Sequence, residues 1–222
     1  MGAAAALILL SSASAAGWEP LLFKRVPHAT AYAFEAGAIH AVRSASASGL
    51  IFRLEGSPAE RPILRWRWKV AQPLSHPNAR TKRGDDFAAR VYVTFRYHPA
   101  RAGLGLRAKY RLAKALYGEY PPHAGIAYVW AGQEPIGSSW PNPYTDRVGM
   151  LAVRSGNSEA GVWVHEERDL LSDYRALFNE EPPPPSSVSL AGPGGRRAPR
   201  DLETICQKCL RKEPRQRYQS AS

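Results

Sequence analysis

The chain alternates apolar and polar residues over many short stretches, and the clearest of these is Ile63–Val70. Its apolar residues take every second position and its basic residues lie between them: Leu64, Trp66, Trp68 and Val70 against Arg65, Arg67 and Lys69. This period of two is typical of a strand with one buried side and one solvent-facing side. Residues 87–95 repeat the pattern. Weaker strand predictions fall at 21–26, 30–35, 38–43, 48–54, 125–130, 148–154 and 162–166.

Two segments have helical periodicity instead. Leu104–Tyr117 carries apolar residues at helical spacing with basic residues between them, which predicts an amphipathic helix. Residues 169–178 predict a second helix, with Asp169 as its N-cap. Many short strands separated by turn residues, together with two short helices, favour a mainly β fold: an antiparallel β-sandwich or jelly roll over residues 18–181. A mixed α+β layer is the alternative.

The first 16 residues resemble a signal peptide, one whose front is truncated. Ala3 to Leu10 form a short apolar run, and Ala13-Ser14-Ala15 fits a small-residue cleavage site. The run is too short to cross a bilayer, so no transmembrane segment is predicted. A basic region before the run is missing, because the first lysine is Lys24. The pattern predicts an exported protein, periplasmic or secreted; an Ala-rich start without a targeting role is the alternative.

The composition changes after residue 181. Residues 182–199 are rich in Pro, Gly and Ser, which predicts a linker. Residues 196–222 hold 8 of the 30 Lys and Arg residues but only 3 of the 19 Asp and Glu residues, so nearly half of the net charge of +11 lies there. The remaining excess is moderate and forms no compact basic run with interleaved aromatic residues, so no nucleic-acid partner is expected.

Residues 198–222, APRDLETICQKCLRKEPRQRYQSAS, are similar to the last helices of the large lobe of bacterial serine/threonine protein kinases. An isolated helical fragment is expected over 200–222. The sequence has no H-R-D loop and no D-F-G motif, so it does not encode a functional kinase. A fused gene fragment or an assembly artefact is the preferred interpretation, and a docking tail is the alternative. Cys206 and Cys209 form a lone C-x-x-C, more typical of a buried helix face than of half a zinc site.

Several strings of uncommon residues recur in a fixed order along the main domain. They are WRWKV at 66–70, GDDFAARVYVTF at 84–95, YVW at 128–130 and GVWVHEERDLLSDYRALFNEEPP at 161–183. Over about residues 18–183 the chain resembles the bacterial family catalogued as domain of unknown function 3047. The resemblance implies an exported protein and supplies no activity and no catalytic residues. It also implies a further acidic strand after the double proline, where this chain continues into the predicted linker.

Candidate catalytic residues are acidic side chains near strand ends: Asp85, Asp86, Glu166 and Glu167. One aspartate facing one glutamate across a cleft would suit a hydrolase or lyase that acts on envelope polysaccharide. The alternative is that these carboxylates cap turns and pair with arginines such as Arg90 and Arg168. No metal-ligand spacing is present, and neither metal nor cofactor is expected.

Candidate binding residues are Trp140 and Tyr144, in the string GSSWPNPYTDR at 137–147, together with Arg90 and Tyr92. Aromatic residues on a loop suit a glycan or another component of the cell envelope, whereas Trp66 and Trp68 are expected in the core. A non-catalytic binding module is therefore the preferred functional hypothesis. The two hypotheses differ in whether two carboxylates converge in a cleft.

Overall fold

The computed structural model describes the following parts of the chain: residues 5–10, 17–22, 31–35, 38–42, 48–54, 63–74, 78–118 and 120–191. Twelve strands and two α-helices lie in these parts. The strands form two sheets that pack around one apolar core. The mainly β fold class is confirmed, and the arrangement is a β-sandwich.

Each sheet mixes strands from distant parts of the chain. The five-stranded sheet contains, in spatial order, β11 (Val164–Asp169), β6 (Ile63–Val70), β1 (Ala5–Leu10), β4 (Ala38–Val42) and β3 (Ala31–Glu35). The seven-stranded sheet contains β2 (Trp18–Leu22), β5 (Ser48–Arg53), β12 (Pro185–Ala191), β7 (Arg90–Phe95), β8 (Ala124–Ala131), β10 (Thr145–Ser155) and β9 (Ser139–Asn142).

The core lies between the sheets and is rich in tryptophan. Trp66 and Trp68 on β6 are buried, and their rings pack against Tyr128 and Trp130 on β8, with centroid distances of 5.3 and 5.7 Å. The predicted alternation on β6 is confirmed, because Arg65 and the other outward-facing arginine of this strand are exposed. Burying these rings removes a large apolar area from water, which stabilises the contact between the sheets.

The two predicted helices are present. The first, α1, covers Leu104–Tyr117, and Gly118 ends it in the left-handed conformation. The second, α2, covers Leu170–Phe178. Its N-cap is Asp169, whose carboxylate accepts hydrogen bonds from the backbone N–H groups of Leu171 and Ser172. Helix α2 joins the core through Leu170 and Tyr174, both buried.

Two details of the strand predictions are wrong. The sheet is not wholly antiparallel, because β8 and β10 are parallel. The chain leaves β8, forms β9 at the sheet edge, and returns as β10, which inserts between β8 and β9. The 87–95 segment has no wet face: Tyr92 and Thr94 are buried like their neighbours. A second apolar cluster covers Tyr92 on the outer face of this sheet, which we define as the face opposite the inter-sheet core.

The predicted linker contains a strand of the fold. Pro185–Ala191 forms β12, which pairs with β5 on one side and β7 on the other. Val188 and Leu190 enter the core, while the hydroxyl of Ser187 bonds to that of Thr94 at 2.6 Å on the outer face. Serine side chains are short enough to fit beneath the covered outer face, and Ser187 keeps a hydrogen bond there, so the polar composition of this segment does not prevent its burial. The domain boundary at 181 is therefore wrong.

Other sequence predictions fall at the ends of the chain. Ala5–Leu10, the apolar run of the predicted signal peptide, forms β1 between β4 and β6. The predicted kinase-like helix at 200–222 and its two cysteines lie outside the described residues. Neither α1 nor α2 has the length and apolar character that a membrane-spanning helix needs.

Candidate functional site

The four predicted binding residues come together on the outer face of the seven-stranded sheet. Tyr92 and Trp140 belong to one apolar cluster, and Tyr144 packs against it. A guanidinium nitrogen of Arg90 donates to the Tyr92 hydroxyl at 3.0 Å. Strands β7, β9 and β10 position these side chains, and the segment before β7 covers them with Phe87.

Asp85 lies beside the same cluster and forms a buried ion pair with Arg90. Its Oδ1 accepts from Arg90 Nη2 at 2.9 Å, and its Oδ2 accepts from Asn142 Nδ2 at 3.4 Å. Burial alone lowers the pKa of Arg90, but the charge of Asp85 and the contact with Tyr92 outweigh it and hold the pKa above its ordinary value. Arg90 therefore stays charged, and its contacts with Asp85, together with the contact between Asp85 and Asn142, hold the covering segment onto β7 and β9.

The aromatic rings are less open than the sequence predicts. Trp140 lies on strand β9, not in a loop, and is only 3% exposed. The Arg80 guanidinium lies 5.8 Å from the centre of its ring. Tyr144 is half-buried, donates its hydroxyl to the Lys82 carbonyl at 3.1 Å, and has the Lys82 ammonium 5.4 Å from its ring centre. The prediction that Trp140 lies on a loop is wrong, and the segment before β7 folds over its ring.

A compact turn at residues 78–84 presents three exposed cations. Backbone hydrogen bonds from Thr81 to Asn78 and from Gly84 to Thr81 close the turn. A Cβ on Gly84 would lie 1.9 Å from the Asn78 carbonyl oxygen, so only glycine fits there. Residues 80–83, here called the basic loop, carry Arg80, Lys82 and Arg83. None of the three forms an ion pair with another described residue.

The glutamate candidates lie elsewhere. Glu166 on β11 accepts from Trp68 Nε1 at 2.9 Å and from Arg154 Nε at 2.7 Å. Burial raises its pKa, although Arg154 and Trp68 act against this. Glu167 is exposed and pairs with Arg65 at 2.6 Å.

The predicted carboxylate pairs do not converge. Asp85 contacts residues of the outer face, whereas Glu166 contacts a tryptophan of the inter-sheet core, so the seven-stranded sheet separates them. Asp86 is half-buried beside Asp85, and its charge acts on Arg90. The geometry therefore favours the alternative in which these carboxylates pair with arginines.

A second cluster, which the sequence does not predict, lies at the end of the sheet where β8 begins. His123 is fully buried, and its Nε2 lies 3.4 Å from Oε1 of Glu180. The same Oε1 accepts from the Tyr174 hydroxyl at 2.6 Å. Tyr174 and Glu180 belong to the string at 161–183 that carries the family resemblance, but nothing in their spacing indicates that His123 meets them. Groups of three or more side chains suited to a metal ion are absent from the described residues.

A model of the family described as "Protein of unknown function (DUF3047)" matches residues 16–193. The chain belongs to this family. No curated protein matches the sequence. The match begins after β1 and ends after β12, so both side-chain clusters lie inside the DUF3047 domain.

Several motif residues of the DUF3047 domain have structural roles. Trp68 fills the core, Asp85 holds Arg90, and Asp169 caps α2. Asp173 pairs with Arg168 and accepts a hydrogen bond from the Tyr128 hydroxyl at 2.8 Å. These contacts account for the motifs by folding alone, whereas in the basic loop and the Glu180 cluster some polar groups have no ion-pair or hydrogen-bond partner among the described residues.

Proposed function

We propose that this DUF3047 domain is an exported, non-catalytic binding module for an acidic glycan or a similar anionic component of the cell envelope. The observation that carries the proposal is the basic loop. Its three cations are exposed, have no ion-pair partner among the described residues, and lie on a turn that hydrogen bonds and Gly84 hold in one shape. A ligand that binds there does not have to order the loop, which reduces the entropic cost of binding.

The chemistry of the loop favours an anionic ligand. Arg80 and Lys82 cover the rings of Trp140 and Tyr144, so a sugar cannot stack on those faces without displacing a cation. Carboxylate or sulfate groups can instead pair with the exposed guanidinium and ammonium groups. One acidic side chain, that of Glu134, also lies near the basic loop. It accepts a hydrogen bond from the Ala79 backbone N–H at 3.0 Å, so its charge is partly committed to the turn.

Binding without catalysis is favoured over hydrolase or lyase activity through paired carboxylates. Asp85, Glu166 and Glu167 each pair with an arginine. Each of these carboxylates is therefore committed to a guanidinium partner and is not presented to a ligand. The glycoside mechanism also needs two carboxyl groups that face each other across the ligand.

Export is supported by the N-terminal pattern and by the limits of the family. The family match begins at residue 16, directly after Ala13-Ser14-Ala15. We infer that residues 1–15 are a leader that lies outside the functional domain. Cleavage there would remove β1 and leave β4 and β6 to form separate pairs with β3 and β11.

Charge reversal in the basic loop tests the ligand. Arg83→Glu is expected to weaken binding to acidic polysaccharides on a glycan array by about tenfold or more, because a charge-assisted contact contributes about 1.5–3 kcal/mol. Arg111→Glu on α1 is the matched control, since Arg111 is also exposed and changes the net charge equally. Equal binding by the two variants, or preference for neutral glycans, would refute the proposal.

A further inference from the structure

Asp85, Glu166 and Glu167 each pair with an arginine. Glu180 instead contacts a tyrosine and a histidine. Its Oε1 meets the Tyr174 hydroxyl and the His123 ring, and no arginine of the described residues lies within ion-pair distance of it. The side chain is 41% exposed, and its Oε2 has no hydrogen-bond partner among the described residues. The carboxylate is thus held at one oxygen and presents the other to solvent.

Two arginines lie beside this carboxylate without pairing with it. Arg147 Nη1 donates to the His123 carbonyl at 3.5 Å, and Arg101 donates to the Glu181 carbonyl. Both positive charges act on the His123 imidazole and on the Tyr174 phenol, which places them near the cluster. Neither arginine forms an ion pair with another described residue.

Neighbouring opposite charges usually pair, as Arg154 does with Glu166 and Arg175 with Glu181. Here the backbone carbonyls hold the two guanidinium groups, and the Tyr174 hydroxyl holds Glu180. The His123 ring adds a buried Nδ1 without a hydrogen-bond partner among the described residues, while its Nε2 lies 3.4 Å from Glu180 Oε1. Buried polar atoms of this kind are uncommon, and charged groups kept apart around them form a preorganised polar site.

We propose that Glu180, Arg101 and Arg147 form a subsite for a single uronic acid residue of an acidic glycan. The free Oε2 of Glu180 accepts from sugar hydroxyls, and the arginines bind the sugar carboxylate. His123 and Tyr174 are positioning residues that hold the orientation of Glu180. This inference rests on the proposed function and deepens it by naming the sugar class.

Titration calorimetry with a hexamer of galacturonic acid tests the subsite. Glu180→Gln keeps an acceptor for Tyr174 but removes the charge, and is expected to weaken binding about tenfold. Glu181→Gln is the matched control, because Glu181 is exposed, adjacent and paired with Arg175. Arg147→Gln should weaken binding similarly, with Arg111→Gln as its control, and a hexamer of neutral galactose should not bind.

The outcomes separate the two proposals. Binding by Glu180→Gln and Arg147→Gln within about twofold of their controls, while Arg83→Glu loses affinity, overturns the subsite and leaves the basic-loop function standing. Loss in the subsite variants with no loss in Arg83→Glu supports the subsite and overturns the role of the loop. Wild-type protein that does not bind the acidic hexamer overturns the subsite. A melting temperature equal to that of the wild type shows that a variant is folded.

Discussion

The burial and the pKa of single residues in this protein depend on neighbours that lie far away along the chain. His123 follows two prolines and looks like an isolated histidine, yet the fold buries it against Glu180. Its ring also stacks on that of Tyr97, with 6.2 Å between the ring centroids. Burial lowers its pKa below the ordinary 6.5, and the Glu180 carboxylate only partly opposes this, while the charges of Arg147 and Arg101 lower the pKa further. The ring is therefore neutral in the folded protein near pH 7.

The neutral His123 makes stability depend on pH in a defined direction. As pH falls below 6.5, the unfolded chain takes up a proton on this residue before the folded chain does, so the free energy of unfolding decreases. The contribution is fully present above pH 6.5. Urea unfolding at pH 7.5 and pH 5 should show a smaller loss of stability for His123→Gln than for the wild type.

The exposed His165 supplies the control for this measurement. His165→Gln should keep the wild-type pH dependence. The buried Glu166, whose raised pKa contributes with the opposite sign above pH 4.5, is present in all three proteins and cancels in the comparison. An identical pH dependence in His123→Gln and the wild type would contradict the assignment.

At the scale of elements, the local sequence pattern predicts a helix or strand correctly where one face of that element is exposed to solvent. The bounds of β6 and α1 follow from their periodicity, and the cap of α2 follows from Asp169. Pattern fails for β12 and β9, because Ser, Pro and Gly around them indicate loops. Strand β9 is supported by pairing with β10, the next strand along, and β12 by pairing with β7, which is distant in the chain; composition does not report either pairing.

The central place of β12 predicts a sharp limit to truncation. A chain that ends at residue 184 loses the strand between β5 and β7 and leaves two open sheet edges. We expect it to fail to fold, or to melt at least about 10 °C below the full-length protein. A chain that ends at residue 193 should melt within a few degrees of full length. Equal melting temperatures for the two truncations would show that β12 is dispensable.

At the scale of the whole molecule, two sheets share one tryptophan-rich core, and α2 closes one end of it. The outer face of the seven-stranded sheet is covered by the segment before β7, whose basic loop faces outward. Both faces of this sheet are therefore packed, and the cations of the basic loop lie above the outer face. The Glu180 cluster lies at the end of the same sheet, where β8 and β10 begin.

The proposed export predicts the mass of the native product. Mass spectrometry of the protein from its own cells should find a chain that begins at Ala16, with residues 1–15 removed after Ala13-Ser14-Ala15. A native chain that retains Ala5–Leu10 would mean that β1 is a permanent strand of the five-stranded sheet, and would refute cleavage.

The sequence by itself determined the β-rich class, both helices, the strand that carries Trp66 and Trp68, and the family. Side-chain alternation, helical spacing and rare motif residues are local properties, so they can be detected along the chain. Only the tertiary structure decided that Pro185–Ala191 is a central strand, that Trp140 is buried, and that Glu180 meets His123. Those outcomes depend on which distant segments meet, and the energy of such contacts arises only once the chain has closed on itself.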